Sequence, residues 1–350
     1  MWVTSGSTSH ERSVSHRTLC ILMKFNMIYI REQASQEIAN ITLAKGESIQ
    51  LFGTQGYTVN QLQSINKLLG MNDCLICIDC DLGVCKEDED LIYNLNIIEF
   101  LSNVRHLLVS NFSHKAELDS IDFVQYTPLL QSFSILGLIK RSISLQNLQK
   151  LKFLDTLNFG DYLEINNKQL AVINSLTNLR ELEVKKIDAS SLNPNLNMRK
   201  LAIFSKLING EYLPDKFPNL EYLYLKRQTK CSDFSWISKL VALKRLYLHW
   251  IFSFETLPDL SKLSNLELLE LAGCPNLRYG IDCIKSLPKL QRFVATELTC
   301  ITTDELERTL SHLKTLKSVY IYFRNNNTEN KAMEKLMKKY NWVSHLNLDT

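Results

Sequence analysis

Leu243-Lys-Arg-Leu246-Tyr-Leu248 is the stretch that decides the fold, because its pattern of apolar residues recurs along most of the chain. The pattern is an apolar residue, two spacers, a second apolar residue, one spacer and a third apolar residue. Eleven copies close at Val109, Ile135, Phe159, Val184, Ile203, Leu225, Leu248, Leu271, Ala295, Ile321 and Leu348. All three defining positions are apolar in every copy, although only 45% of the chain is hydrophobic. The recurrence therefore reflects structure rather than composition.

The spacing of the copies predicts a stack of short strands. Alternate side chains of a strand point to opposite faces, so the second and third apolar residues enter a core while their neighbours face outward. The distance between closing residues runs from 19, Val184 to Ile203, to 27, Ile321 to Leu348. This phrase and this period resemble the leucine-rich repeat family. The resemblance implies an α/β solenoid with a curved parallel sheet on its concave face and helices and loops on its convex face.

The segments between the strands predict part of the convex layer. Apolar residues at helical spacing predict helices over 167–176, 303–313 and 331–340. Many members of the family place Asn three residues after the closing residue. This chain has other residues at that position, namely Leu138, Tyr162, Ile187, Gln228, Ile251, Cys274 and Leu298. We therefore expect the loops to stack by apolar contact, with Cys274 as a cysteine variant.

The N-terminal part predicts a cap on one array. Residues 1–18 are rich in Ser, Thr and His and are expected to be a disordered leader. Residues 19–350 then form a single solenoid, with degenerate repeats or a cap over 19–100 and regular repeats over 101–350. Within the cap, residues 19–30 predict a strand, Leu51 and Cys77 are placed as inward closing residues, and residues 86–101 predict an acid-capped helix.

The spacing of four of the nine cysteines is compatible with a zinc or iron-sulfur site. These cysteines are Cys74, Cys77, Cys80 and Cys85. The repeat register opposes such a site, because Cys77 and Cys74 would lie on opposite faces of one strand. We therefore predict buried reduced thiols and no metal or cofactor. Reduced thiols indicate a cytoplasmic compartment.

Composition and motifs favour binding over catalysis. The chain has no Gly-rich phosphate loop, no Gly-x-Ser-x-Gly and no His-Glu-x-x-His. Its formal net charge of +3 is too small to indicate nucleic acid, and apart from residues 19–30 no stretch approaches the ~18 apolar residues of a membrane helix.

The outward positions of the strands predict the binding surface. Tyr and Arg dominate them in the middle of the array, and these types contribute most to protein interfaces. The predicted partner-binding residues are Tyr222, Tyr224, Arg245, Tyr247, His249, Trp250, Glu270, Arg292, Tyr320 and Tyr322. The predicted function is a non-enzymatic protein-binding module, such as an adaptor, an inhibitor or immunity-type protein, or an effector. The alternative is a substrate-recognition subunit of a ubiquitin-ligase-like assembly.

Overall fold

A computed structural model describes residues 26–31, 33–82, 88–111, 116–228 and 233–344. Within these ranges, thirteen strands form one sheet in chain order, and every neighbouring pair is parallel. The strands are β1 Asn26–Ile30, β2 Glu47–Phe52, β3 Leu75–Cys80, β4 His106–Asn111, β5 Ser132–Gly137, β6 Thr156–Asn158, β7 Glu181–Asp188, β8 Lys200–Ile208, β9 Tyr222–Lys226, β10 Arg245–His249, β11 Leu268–Ala272, β12 Arg292–Leu298 and β13 Ser318–Phe323. The predicted α/β leucine-rich repeat solenoid is confirmed.

Helices and turns join the strands on the other side of the core. The α-helices are α1 Ser35–Ala39, α2 Val59–Met71, α3 Asn167–Ser175, α4 Leu213–Lys216, α5 Thr303–Leu310 and α6 Asn327–Tyr340. Short 3-10 helices fill most other connections, at Asn94–Phe100, Asp122–Tyr126, Gln146–Lys150, Ala189–Ser191, Gly210–Tyr212, Ser235–Lys239 and Ile281–Ser286. Among the residues described, none of these helices combines the length and the apolar character that a membrane crossing needs.

The inward residues of the repeat line up from strand to strand. Leu246 is in register with Leu223 and with Leu269, and all three are 0% exposed. Each strand thus buries its inward side chains against the equivalent side chains of its neighbours, which a single repeat could not do. The continuous core of the solenoid is this stack of leucines and isoleucines, closed on the convex side by the helices.

The prediction that Cys77 closes an upstream repeat is wrong by one residue, whereas Leu51 lies inward as predicted. Ile76 and Ile78 are in register with Leu107 and Val109 of the next strand, and Cys77 lies on the concave face. The sequence of β3 is apolar on both faces, so alternation alone does not define its register. The structure places the two larger isoleucines in the core.

The predicted acid-capped helix over 86–101 is also wrong. Residues 88–93 form a turn and an extended segment, and only Asn94–Phe100 is helical, as a 3-10 helix. Two backbone hydrogen bonds of 2.8 and 2.9 Å join Ile92 to Tyr57, which holds Ile92 extended. Asn94 has a left-handed backbone (φ +50°), which an α-helix cannot contain.

The three convex helices predicted from apolar spacing are present with adjusted ends. α3 begins after Asn166, whose side chain accepts hydrogen bonds from the backbone N–H groups of Lys168 and Gln169, while the Gln169 side-chain oxygen accepts one from the Asn166 N–H. This reciprocal capping explains why the helix begins there. α5 ends three residues earlier than predicted, and α6 begins four residues earlier.

The loops that follow the strands stack by a mixture of contacts. Ile187 and Ile251 are buried as expected, and the Cys274 thiol lies 3.5 Å from the Leu248 carbonyl oxygen. Two side-chain amides also join neighbouring loops by hydrogen bonds. Gln228 accepts a hydrogen bond from the Leu207 N–H (2.7 Å), and Asn111 donates to the Leu138 carbonyl (3.0 Å). The prediction of apolar stacking therefore holds for part of the array.

The two ends of the array are described incompletely. β1 pairs with β2, so the C-terminal part of the predicted capping strand is present. Residues 1–25, including the predicted leader, lie outside the described residues. At the other end Val343, the opening residue of the last repeat, is 46% exposed, and Leu346 and Leu348 lie outside the described residues.

Candidate functional site

The concave side chains of β8 to β13 form regular rows because the strands are parallel and in register. The first row holds Lys200, Tyr222, Arg245, Leu268, Arg292 and Ser318. The second row holds Ala202, Tyr224, Tyr247, Glu270, Val294 and Tyr320. The third row holds Lys226, His249, Ala272, Thr296 and Tyr322. Neighbours in a row are one strand spacing apart, about 4.8 Å.

Six concave side chains pack together into what we call the aromatic cluster. Its members are Ala202, Phe204, Tyr222, Tyr224, Tyr247 and Leu268. Ring centroids lie 5.0 Å apart for Tyr222 and Tyr247, and 5.3 Å apart for Phe204 and Tyr224. Tyr224 is 3% exposed and Tyr247 is 6% exposed. These tyrosines lie on the predicted face, but neighbouring rings bury them, so they form a second small core rather than a row of free contact groups.

Two predicted residues, His249 and Glu270, adjoin the cluster as a close polar pair. His249 Nε2 lies 2.8 Å from Glu270 Oε1, and both side chains are largely buried. The His249 ring also packs edge-on against Tyr224, with centroids 4.8 Å apart. The imidazole is therefore enclosed between Glu270 and Tyr224.

Trp250 stands at the rim of the face, just beyond the end of β10. Its backbone is left-handed (φ +57°), and its N–H donates to the Ala272 carbonyl oxygen at 2.7 Å. The indole lies over Gly273, where a Cβ would come within 2.8 Å of the ring. Held this way, the side chain remains 44% exposed. The equivalent residues of the neighbouring repeats, Arg227, Gly273 and Glu297, are also left-handed, so the conformation belongs to the repeat and places a large aromatic group at the rim only at Trp250.

The remaining predicted residues extend the face toward β13. Arg245 and Arg292 lie on either side of Leu268 in the first row. Tyr320 and Tyr322 are 41% and 42% exposed, and Val294 separates Tyr320 from Glu270 in the second row. The structure thus brings Tyr222, Tyr224, Arg245, Tyr247, His249, Trp250 and Glu270 into one group, with Arg292 next to it and the two β13 tyrosines at its end.

Sequence reasoning missed a second apolar cluster near the N-terminal end of the same face. It consists of Cys77, Leu108 and Leu136, with Met27, Leu75 and Tyr162 packed against it. A groove of about 350 Å³ lies beside it, lined in part by Leu75, Leu108 and Leu136. Apolar residues at the outward positions of β3 to β5 were the available signal.

Charged groups separate the two clusters. Lys200 Nζ lies 2.8 Å from Glu183 and 3.1 Å from Glu181. Burial opposes protonation of Lys200, but the two carboxylates outweigh it and raise the pKa of this amine above its ordinary value. The concave face is therefore polar and internally paired in the middle, with an apolar cluster on either side.

The cysteine run divides between two faces, although the predicted faces of Cys74 and Cys77 are reversed. Cys74 and Cys80 belong to the main core, and Cys77 belongs to the concave cluster. Burial raises the pKa of Cys74 to about 11 and that of Cys77 to about 12. Cys85 lies outside the described residues. Within the described ranges, no group of three or more His, Cys, Asp or Glu side chains is placed to hold a metal ion.

The burial of Tyr247 gives a test of the cluster. Tyr247→Ala should lower the free energy of unfolding by about 3 kcal/mol, because it opens a cavity among packed rings. Tyr320→Ala, the same change at a 41% exposed position in the same row, should cost less than about 1 kcal/mol. Urea denaturation of both variants gives the comparison, and equal midpoints would mean that the rings do not pack in solution.

Comparisons with known proteins give distant similarities. No family model matches the chain. A putative disease resistance protein of Arabidopsis thaliana is 31% identical over 182 residues, which covers 50% of this chain but only 15% of that protein. The chain thus spans a small part of the length of this curated relative.

Three solved structures illustrate the similarity in fold. A leucine-rich repeat protein of Leptospira interrogans covers 89% of this chain and 98% of its own length (TM-score 0.44). Internalin C2 of Listeria monocytogenes covers 67% and 87% (TM-score 0.38), and TLR13 in complex with a single-stranded RNA covers 84% and 52% (TM-score 0.39). All three are 16% identical in sequence.

The repeat phrase and the order of the strands establish the fold of this chain. Every described strand pairs only with the strands that precede and follow it in sequence, and the inward residues are those of the repeated phrase. The chain has the fold of a leucine-rich repeat solenoid.

Proposed function

We propose that this chain is a non-catalytic module that binds a partner protein through the concave face of β8 to β13. The observation that carries the proposal is the 44% exposed Trp250 on the rim, together with the half-buried Tyr222 and Arg245 of the first row, which the buried rings of the aromatic cluster hold in place. Tyr, Trp and Arg supply most of the binding energy in protein interfaces. Rings that already pack against each other lose little side-chain freedom on binding, so the surface is ordered in advance.

The polar pair within the face is part of the proposed surface. His249 Nε2 lies 2.8 Å from Glu270 Oε1, and the imidazole packs edge-on against Tyr224. We assign the pair to positioning of the surface.

The finer assignments are part of the same proposal. We propose that residues 19–350 act as one array, in which residues 19–100 cap the regular repeats, and that the protein works in the cytoplasm as an adaptor, an inhibitor or immunity-type protein, or an effector. Continuous pairing from β1 to β13 supports a single array.

A capture experiment with paired variants tests the binding face. The immobilised chain is compared with a Trp250→Ala/Arg245→Ala variant and with a Phe153→Ala/Lys314→Ala control, whose altered residues are exposed and lie outside the sheet. Proteins retained from an extract of the source cells are quantified by mass spectrometry. We expect at least about thirtyfold weaker binding of the partner by the first variant, which corresponds to one lost hot spot of about 2 kcal/mol, and no loss on the control.

Retention of the same partner at the same level by the Trp250→Ala/Arg245→Ala variant would contradict the proposal. Recognition would then belong to the convex side or to the ends of the array.

A further inference from the structure

The groove at the N-terminal end of the concave face runs from the start of β2 to β5. It has a volume of about 350 Å³, and its apolar lining includes Leu75, Leu108 and Leu136. Two concave positions of β5 that also line it, Ser132 and Ser134, carry small side chains. The same two positions of β9 hold tyrosines, which pack in the aromatic cluster. The face is therefore hollow at its N-terminal end, where small side chains stand among apolar ones.

The chain enters the sheet at one end of this groove. Asn26, the first residue of β1, is in register with Glu47, which lines the groove. The next residue, Met27, packs against the N-terminal apolar cluster that contains Leu108. Residues 19–25 precede the described part of the chain, and the peptide bond to Asn26 attaches them at this end of the groove.

Residues 19–25 have the composition and the length to fill the groove. Their sequence is Leu-Cys-Ile-Leu-Met-Lys-Phe, in which Lys24 is the one charged residue. In an extended segment alternate side chains share a face, so Leu19, Ile21 and Met23 belong to one side. Seven extended residues span about 23 Å, whereas β5 lies four strand spacings, about 19 Å, from β1. The segment is therefore long enough to cross from β1 to β5.

The charges at the attached end of the groove favour the same occupant. Among the described residues that line the groove, Glu47 and Asp73 are acidic and none is a lysine or an arginine. Asp73 Oδ1 also lies 3.1 Å from His106 Nε2. Lys24 precedes Asn26, the register partner of Glu47, by two residues. The carboxylates attract an ammonium group at that point of the chain, which favours a segment whose C-terminal end lies beside β2.

We propose that residues 19–25 of this chain bind in the groove as an extended segment that directs Leu19, Ile21 and Met23 toward the sheet. The segment covers the N-terminal apolar cluster, so an external ligand must displace it to reach that cluster. An attached segment competes at a high effective concentration, on the order of millimolar for a short connection. The inference concerns β1 to β5 and is independent of the proposed function, which concerns β8 to β13.

Fluorescence anisotropy with a labelled peptide of residues 15–25 tests the inference, and every protein is used as the full chain. The first variant, Ile21→Asp/Met23→Asp, places two carboxylates on the side of the segment that faces the sheet and should release the segment from the groove. The matched control, Cys20→Asp/Leu22→Asp, places two carboxylates on the opposite side of the same segment.

A second pair of substitutions tests the groove itself and is made in the Ile21→Asp/Met23→Asp chain. Ser134→Trp places an indole in the groove at a half-buried position, and Ser286→Trp makes the same change at an exposed position in a 3-10 helix. Thermal unfolding of each variant establishes that it is folded, and Ser132→Trp replaces Ser134→Trp if that variant does not fold.

The peptide should bind the Ile21→Asp/Met23→Asp chain at least about tenfold more tightly than the parent chain or the Cys20→Asp/Leu22→Asp control, because in those two proteins the attached segment competes. Ser134→Trp should abolish this binding, and Ser286→Trp should leave the affinity within about twofold. Equal affinity for the first variant and the parent chain, equal affinity for the first variant and the control, no binding to any protein, or binding that survives Ser134→Trp would overturn the inference.

Discussion

Leu246→Asp should unfold the central part of the solenoid. The side chain is 0% exposed and lies between Leu223 and Leu269, which are also 0% exposed. A carboxylate placed there has no partner and loses its hydration, so it either remains charged at a high cost or becomes protonated at a smaller one. With the lost leucine packing added, the change should cost more than about 4 kcal/mol, which belongs to the largest effects of single substitutions.

Leu196→Asp is the matched control, because it makes the same chemical change at a leucine that is 64% exposed. It should change the free energy of unfolding by less than about 1 kcal/mol. Circular dichroism and urea denaturation of the two variants make the comparison. A folded Leu246→Asp protein with the parent's midpoint would show that the inward register is misassigned.

Gly280→Ala should be the second severe change. Gly280 has a left-handed backbone (φ +84°), and a Cβ there would lie 2.3 Å from the Leu257 carbonyl oxygen, which is backbone and cannot move aside as a side chain would. Gly46 has almost the same φ, +85°, with nothing within 4 Å of the added atom. The left-handed conformation alone costs an alanine about 1–2 kcal/mol. We expect about that cost for Gly46→Ala and at least about 2 kcal/mol more for Gly280→Ala.

Unfolding midpoints of the two glycine variants separate strain from steric contact, because the backbone conformation is common to both. If both variants lose the same stability, then the loops at Leu257 and Gly280 do not approach each other as closely as described.

The repeat made the fold predictable, because one phrase fixes one strand. Wherever the two faces of a strand differ in polarity, as at Leu246 between Arg245 and Tyr247, alternation determines the register. It failed at β3, where Leu75, Ile76, Cys77 and Ile78 are apolar on both faces. A second limit of prediction from sequence is long-range pairing. The Tyr57–Ile92 bonds prevent the predicted helix over 86–101 from forming before Asn94, and Tyr57 lies more than thirty residues away in sequence.

The sequence predicted where the side chains of the candidate site lie, but not how deeply they are buried. Outward positions of the phrase place Tyr224 and Tyr247 on the concave face, and the structure places them there. Their burial depends on which rings adjoin them on the neighbouring strands and on the rotamers that those rings adopt, which a single repeat does not encode. The same holds for Cys77, Leu108 and Leu136, whose contact becomes visible only when three repeats are stacked.

The short strand β6 has a mechanical consequence. Thr156–Asn158 is only three residues long and pairs over three residues with each neighbour, whereas β3 and β4 pair over six. In a solenoid each strand contacts only its two neighbours, so a force applied between the two ends acts on every strand pair in turn. The pair with the fewest hydrogen bonds deforms most under that force. Bending would therefore concentrate at β6, between the N-terminal and C-terminal apolar clusters, and would change the distance between them while leaving each cluster intact.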